Sequence, residues 1–481
     1  MSKLNITCLA FLLGITTVSF AGGILTNTNQ SIHFNRMFAR EGTIGIDGVY
    51  SNPAGVAFMG SGWHLSVNNQ SAFQTRTIRS GMQVLGLDGT PFHVPMSMFG
   101  GDENGVKTFK GEASAPIVPS IQVAYNREKW GFQASFAVVG GGGKATFNKG
   151  LGSFERTVSL IPMMLNGMGL KSETPGYSVS SYLNGQQFIY GLQLGTTYKI
   201  NDNLAVYGGA RFNYIANKYE GRISNITANI LGKDENLYDY FGMLETRYAG
   251  TPMGEKISNA RMMVADKYLD CTQRGWCIAP VIGIDWKYNN LNIGARYEFT
   301  TKFNIENKTK RDDTGMFADG VNTPGDLPGI FTVGVQYEFM PSLRASLGYH
   351  YFFDKSARMA NDKQKLLKSN TQEFLAGVEY DINDIVQVSI GGQKTHYGLG
   401  DGVFLNDMSF VTSSYSVGFG AGVKVAKNMQ LNLAYFWTMY DTFKKSGNQT
   451  MELAGQQLQT VCTDEFTRTN KVFGIGLDID F

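Results

Sequence analysis

Two-residue periodicity, sustained from Trp63 to the C-terminus, restricts this chain more than any other feature. Trp63, Leu65 and Val67 alternate with His64, Ser66 and Asn68, and Phe132, Ala134, Phe136 and Val138 alternate with Gln133, Ser135 and Ala137. The last residues repeat the pattern, with Phe473, Ile475, Leu477, Ile479 and Phe481 set against Gly474, Gly476, Asp478 and Asp480. Successive side chains of a strand point to opposite faces, so each such segment reads as a strand between an apolar and a polar environment. Short turns, among them Asn201-Asp202-Asn203, Asn289-Asn290 and Lys427-Asn428, fold neighbouring segments into hairpins. Counting the segments gives about fourteen strands, an even number, as a closed single-chain antiparallel barrel needs.

A soluble sandwich or propeller would have to cover the apolar faces. Leu431, Leu433, Tyr435, Trp437 and Met439 form one of them, and the chain offers no second layer or repeat period to bury it. Lipid is the remaining cover. Beyond the N-terminus no apolar run reaches the roughly 20 residues of a membrane helix. A chain of 481 residues with 43% hydrophobic residues, 12% aromatics and 58 glycines suits a barrel in which only every second strand residue meets lipid. The expected fold is all-β, a closed antiparallel transmembrane β-barrel of about fourteen strands over residues 63–481. Residues 74–113, 148–185, 225–276 and 309–329 read as long loops on one side, which assigns them to the cell exterior and the short turns to the periplasm.

Residues 1–21 set the compartment. Lys3, the apolar core from Cys8 to Ile15 and the small-residue end Ser19-Phe20-Ala21 form the pattern of a secretory signal peptide cut before Gly22. Export and a barrel together point to a Gram-negative outer membrane, with its lipid and lipopolysaccharide as surroundings. The C-terminal strand resembles the segment read by the barrel assembly machinery. Lys and Arg number 42 against 40 Asp and Glu, with no basic run of the kind a nucleic-acid surface requires.

Residues 22–62 lie between the signal and the first strand. Eight strands enclose a space that side chains fill, whereas 16–18 leave an aqueous channel, so a barrel of intermediate size has a lumen to occupy. Ile24, Leu25, Ile32, Phe34, Met37, Phe38, Ile44, Ile46, Val49 and Tyr50 give this segment too much apolar surface for a disordered tail. Its glycines and Pro53 deny it a long helix or a central strand. It is expected to form an irregular plug.

At these residues the chain resembles the FadL/TodX family of outer-membrane transporters for hydrophobic compounds. The resemblance rests on Ala21-Gly22-Gly23, on Arg40-Glu41-Gly42 through Gly48, on Ser51-Asn52-Pro53-Ala54-Gly55 ahead of the first strand, and on the strand count and terminal strand. It implies a hatch that includes Asn52, Pro53, Ala54 and Gly55, a lipophilic pocket inside the barrel, and lateral escape of ligand through a kinked third strand.

Two further stretches bear on that expectation. Gly140, Gly141, Gly142 and Gly143 interrupt the third strand, and four glycines cannot sustain a regular ladder, which fits a gap in the wall or a hinge at the strand's end. Leu160, Ile161, Met163, Met164, Leu165, Met168 and Leu170 make an apolar run where an outer loop should be polar. It reads either as a ligand-collecting surface or as a helix packed over the barrel mouth. Cys271 and Cys277 are expected to close a small disulfide before a strand, with Cys462 left over, although Cys462 could take either partner. The five histidines show no ligand spacing, so neither metal nor cofactor is expected. No local Ser/His/Asp signature points to catalysis. Inward charges such as Arg211, Arg296, Glu298, Glu338, Arg344, Glu379 and Asp381 are expected to pair with one another or with the plug. The expected function is a monomeric, passive, ligand-gated channel for hydrophobic small molecules, fatty acid-like or aromatic. A general diffusion porin and a structural or adhesion barrel are the alternatives.

Overall fold

The computed structural model describes residues 24–481 except 25, 171, 173, 454 and 455; the expected signal peptide lies outside the described residues. Fourteen strands form the wall: β1 Gly62–Leu85, β2 Val106–Arg127, β3 Trp130–Phe147, β4 Tyr177–Lys199, β5 Leu204–Ile230, β6 Lys267–Tyr288 and β7 Leu291–Glu298, then β8 Ile330–Met340, β9 Leu343–Phe352, β10 Gln372–Asp381, β11 Val386–His396, β12 Ser414–Ala426, β13 Met429–Tyr440 and β14 Gln456–Asp480. Each pairs antiparallel with the next. The last closes on the first in unbroken register from His64 opposite Asp480 to Val84 opposite Thr460. Closure leaves no sheet edge, which is what allows an apolar outer face without aggregation.

The period-two pattern translates directly into two environments. In β4, Leu192 and Leu194 face out while Gln193 and Thr197 are buried in the lumen. Trp63 and Phe73 are both exposed on β1, as are Trp276 and Trp286 on β6. Each pair is ten residues apart on one outward face, the span of one tilted membrane crossing between two aromatic girdles. Among the described residues no helix is long and apolar enough to cross a membrane; the crossing is made by strands.

The wall is uneven in height. Strand β5 has 27 residues and β7 has 8, so β1 to β6 and β14 rise far beyond the lipid. Much of what reads as loop in the sequence is therefore strand: β1 continues to Leu85 and β2 begins at Val106, while β5 continues to Ile230 and β6 begins at Lys267. The reason is physical. Above the lipid both faces meet water or polar neighbours, so the apolar alternation fades while cross-strand pairs such as Thr75 with Thr469 and Arg79 with Glu465 still hold the ladder.

A second correction concerns the thiols. Cys271 and Cys277 lie six residues apart on the single extended strand β6, roughly 20 Å along the chain, three times the reach of a disulfide. Both are free, as is Cys462.

Candidate functional site

Residues 26–60 run through the lumen at the short-turn end and bond to the wall on all sides. Helix α1, Ile32–Arg36, starts on Ser31, whose hydroxyl accepts the Phe34 N–H. It delivers Arg36, which is fully buried and donates to Ser389 Oγ at 3.0 Å, Asn432 Oδ1 at 2.6 Å and Glu379 Oε2 at 2.8 Å. His33 contacts Asp478 at 2.7 Å. Glu41 contacts His350 Nε2 at 2.6 Å, and the other ring nitrogen meets Glu373 at 2.8 Å, a bridge from segment to wall that the sequence did not disclose. Arg296 donates to the Tyr50 carbonyl at 2.6 Å and its guanidinium lies 4.1 Å from the Tyr50 ring centre. Within the segment, Arg40 grips Asp47 at 2.7 and 3.0 Å. Burial by itself would raise the Asp47 carboxyl, but Arg40 holds it below the ordinary value.

The Asn52-Pro53-Ala54-Gly55 motif is one of these anchors. Asn52 Nδ2 donates to Asp285 at 2.5 Å and to the Thr43 carbonyl at 3.1 Å, while its own Oδ1 accepts the Gly55 N–H. Gln133 donates to the Pro53 carbonyl at 2.7 Å, and Ala54 is fully buried. The wall is shaped to receive it: a Cβ on Gly294 would sit 2.1 Å from the Glu41 carbonyl oxygen and 2.6 Å from Asn52 Oδ1, so a side chain there would push the segment off its seat. Of the inward charges, Arg211 pairs with Glu298 at 2.7 Å and Arg344 with Asp381 at 2.8 Å.

The wall itself is broken at one place. Strands β2 and β3 pair from Glu112–Thr146 to Ser114–Lys144 and resume at Ile121–Phe136, and the residues between do not pair with each other. Pro116 and Pro119 cannot donate to a ladder. Opposite them Gly141 and Gly143 both take φ +77°, a conformation that only glycine adopts without strain; a Cβ at Gly141 would also lie 2.5 Å from the Gln187 carbonyl oxygen. The kink expected from Gly140 to Gly143 thus has two left-handed residues and a register shift against β4 on either side of Gly140–Gly141. The N-terminal segment enters this break. Thr26 bridges to Gly140, Asn27 N donates to the Val139 carbonyl at 2.8 Å, and Asn27 Nδ2 donates to the Val138 carbonyl at 2.8 Å.

The methionine-rich run does not form an open surface. It builds a short helix, Ile161–Gly167, and its flanks; Leu160, Ile161, Met164 and Leu165 are buried among Met82, Phe109, Phe241 and Ile257, leaving Met163, Met168 and Leu170 half-buried at the margin. Helices gathered over a tall barrel cover one another, and the sequence run records that packing. A second apolar cluster closes the lumen beside it, built from Phe147, Phe154, Phe404, Leu405, Met408, Phe410 and Phe466. Residues 397–413, which the sequence marks only as a connection, supply four of these seven side chains.

No family model matches the chain, and no curated protein matches it in sequence. Solved structures do match in shape. A Pseudomonas aeruginosa FadL homologue aligns over 96% of this chain and all of its own at TM-score 0.59 and 12% identity. The fold is that of the FadL-type barrels. The Ralstonia pickettii toluene transporter TbuX aligns over 95% of this chain and all of its own at TM-score 0.50 and 14% identity, and the P. putida toluene transporter TodX over 91% and 94% at 0.50 and 12%. In this fold the wall encloses residues 26–60, which Arg36, Glu41 and Asn52 fasten to it.

Proposed function

We propose that the protein is a passive channel that takes hydrophobic small molecules across an outer membrane, with the N-terminal segment as its hatch and the break between β2 and β3 as a lateral exit. The observation that carries this reading is the occupied break: Thr26 and Asn27 fill the place where β2 and β3 part. It lies seven to twelve residues above the turn at 128–129, at the height of the outer half of a hydrocarbon layer. The axial route suits an apolar molecule less. Below the hatch lies a cavity of about 670 Å³ lined by Arg40, Arg344, Glu379, Asp381 and Lys424, and an apolar solute gains nothing there. Moving sideways into lipid instead conserves the burial of its surface, about 25 cal/mol per Å². Two of the structural neighbours are toluene transporters, which agrees with a lipophilic cargo. A packed lumen also disfavours the diffusion porin.

Replacing Gly141 and Gly143 together by valine forces the strand out of its left-handed turns. Uptake of a labelled apolar probe into proteoliposomes should fall at least tenfold while the barrel still shows heat-modifiable gel mobility; uptake at the normal rate would overturn the lateral route. Asn27→Ala, which leaves the wall intact, should raise the rate.

A further inference from the structure

The wall is lowest along β7 to β11, and its outer rim there is basic. Strands β9 and β10 have 10 residues each, the length of one tilted membrane crossing, so the connections beyond them start at the outer surface of the lipid. Lys302 follows β7, Lys355 follows β9, Lys368 precedes β10, and Lys394 lies on the outer face of β11 between Phe374 and Tyr415. All four are exposed. Lys355 Nζ donates to the Lys368 carbonyl at 3.2 Å and the Lys394 ammonium lies 5.2 Å from the Tyr415 ring centre, but among the described residues no carboxylate pairs with any of the four. The carboxylates of the same connections are already engaged. Asp326 pairs with Arg358 at 2.9 Å and Asp362 with Lys365 at 2.7 Å, while Asp354 is fully buried.

Directly below these lysines runs an aromatic belt. Between ring centres, Phe299 lies 4.8 Å from Tyr297, Tyr297 lies 5.9 Å from Phe353, and Phe353 lies 4.9 Å from Tyr351. Such rings sit where acyl chains give way to headgroups, and lysines just above them reach the phosphates. Four interstrand spacings of about 4.8 Å spread the row of ammoniums over roughly 20 Å, which a single phosphodiester cannot cover. We propose that this rim is a docking surface for lipopolysaccharide, the phosphorylated and multiply acylated glycolipid of the outer leaflet. Its phosphates would take charge-assisted hydrogen bonds from Lys302, Lys355, Lys368 and Lys394, and its acyl chains would pack against the belt. The rim lies seven strands round the wall from the break between β2 and β3, so a bulky glycolipid held there leaves the break unobstructed. This inference rests on the barrel's place in an outer membrane and is independent of the uptake route.

Native mass spectrometry of the full-length barrel, titrated in detergent with bisphosphorylated lipid A and with its monophosphorylated form, tests the surface, because the two share acyl chains and differ in phosphate. The bisphosphorylated lipid should bind at least roughly tenfold tighter. Replacing Lys355, Lys368 and Lys394 together by glutamine should remove that preference. Replacing Lys110, Lys218 and Arg222, on the tall strands β2 and β5, by glutamine should leave it unchanged; gel mobility confirms folding of both variants. Equal affinity for the two lipids in the natural protein, or the same loss from either set of substitutions, would overturn the site. Phosphatidylglycerol binding as tightly as lipid A would overturn it too, in favour of unselective attraction to anionic lipid. The uptake reading is untouched by any of these results.

Discussion

The two halves of the lumen are closed by opposite kinds of contact. Toward the short turns the N-terminal segment is held by polar bonds of fixed direction, Arg36 to Glu379, Glu41 to His350 and Asn52 to Asp285 among them. Toward the tall rim, residues 397–413 and the helix Gly152–Ser159 close the mouth by burying Phe154, Phe404, Met408 and Phe410. Directional bonds specify one position and fail together when a charged partner is lost. Apolar contacts are interchangeable, so a lipophilic ligand can replace them at little cost. A hatch needs the first property and an entrance needs the second.

Breaking the polar half should have the largest effect. Arg36→Ala removes the donors to Ser389, Asn432 and Glu379 and takes from Glu379 the nearest of its three cations, leaving Arg344 at 3.3 Å and Arg40 at 3.9 Å; each buried acceptor that loses its donor costs about 1–3 kcal/mol. The barrel closes without the segment, so this loss falls on the seat alone. Conductance in planar bilayers should rise from near the baseline to a stable open level, and a variant that stays closed would mean that the apolar half alone seals the pore. Phe410→Ala works on the other half. It should loosen the outer cluster by about 3 kcal/mol and make residues 397–413 readily cut by protease, without a change in conductance. Should Phe410→Ala open the pore, the division of labour between the two halves fails.

The sequence carried these halves unequally. Alternation around Trp63, Phe132 and Leu431 marks the strands in lipid because there the two faces differ, and the strand number and the order of the hairpins follow from it. The upper parts of β1, β2, β5 and β6 left no such mark, since both of their faces are polar or covered. The glycines of β3 announced a kink, but that Asn27 bonds the parted strand is a contact between residues 111 positions apart, which no local pattern encodes. The run from Leu160 to Leu170 has the composition of a binding surface and of a packed helix alike; only the height of the neighbouring strands decides between them. Cys271 and Cys277 mislead for a related reason, because a spacing that suits a loop is impossible on an extended strand.

The smallest expected effect lies where the two halves meet. Asp354, in the turn after β9, is fully buried; its Oδ2 accepts the Thr371 N–H at 3.0 Å, and it also accepts a hydrogen bond from the backbone of Ile24, at the outer end of the N-terminal segment. Burial pushes its carboxyl up to about 6 against those hydrogen bonds, above the roughly 3.9 of an exposed aspartate. Because the closed site holds the proton more tightly than the opened one, its stability is greatest below about pH 4 and declines as pH rises through about 6. Protection of the Thr371 amide against hydrogen exchange, corrected for the intrinsic rate, should therefore be several-fold higher at pH 5 than at pH 7. In Asp354→Asn the two values should coincide, because nothing is left there to titrate. Protection that increases toward neutral pH in the natural protein would show that Asp354 is stabilised as the anion, and the fastening of the N-terminal segment to the outer turn would then belong with the polar half of the lumen.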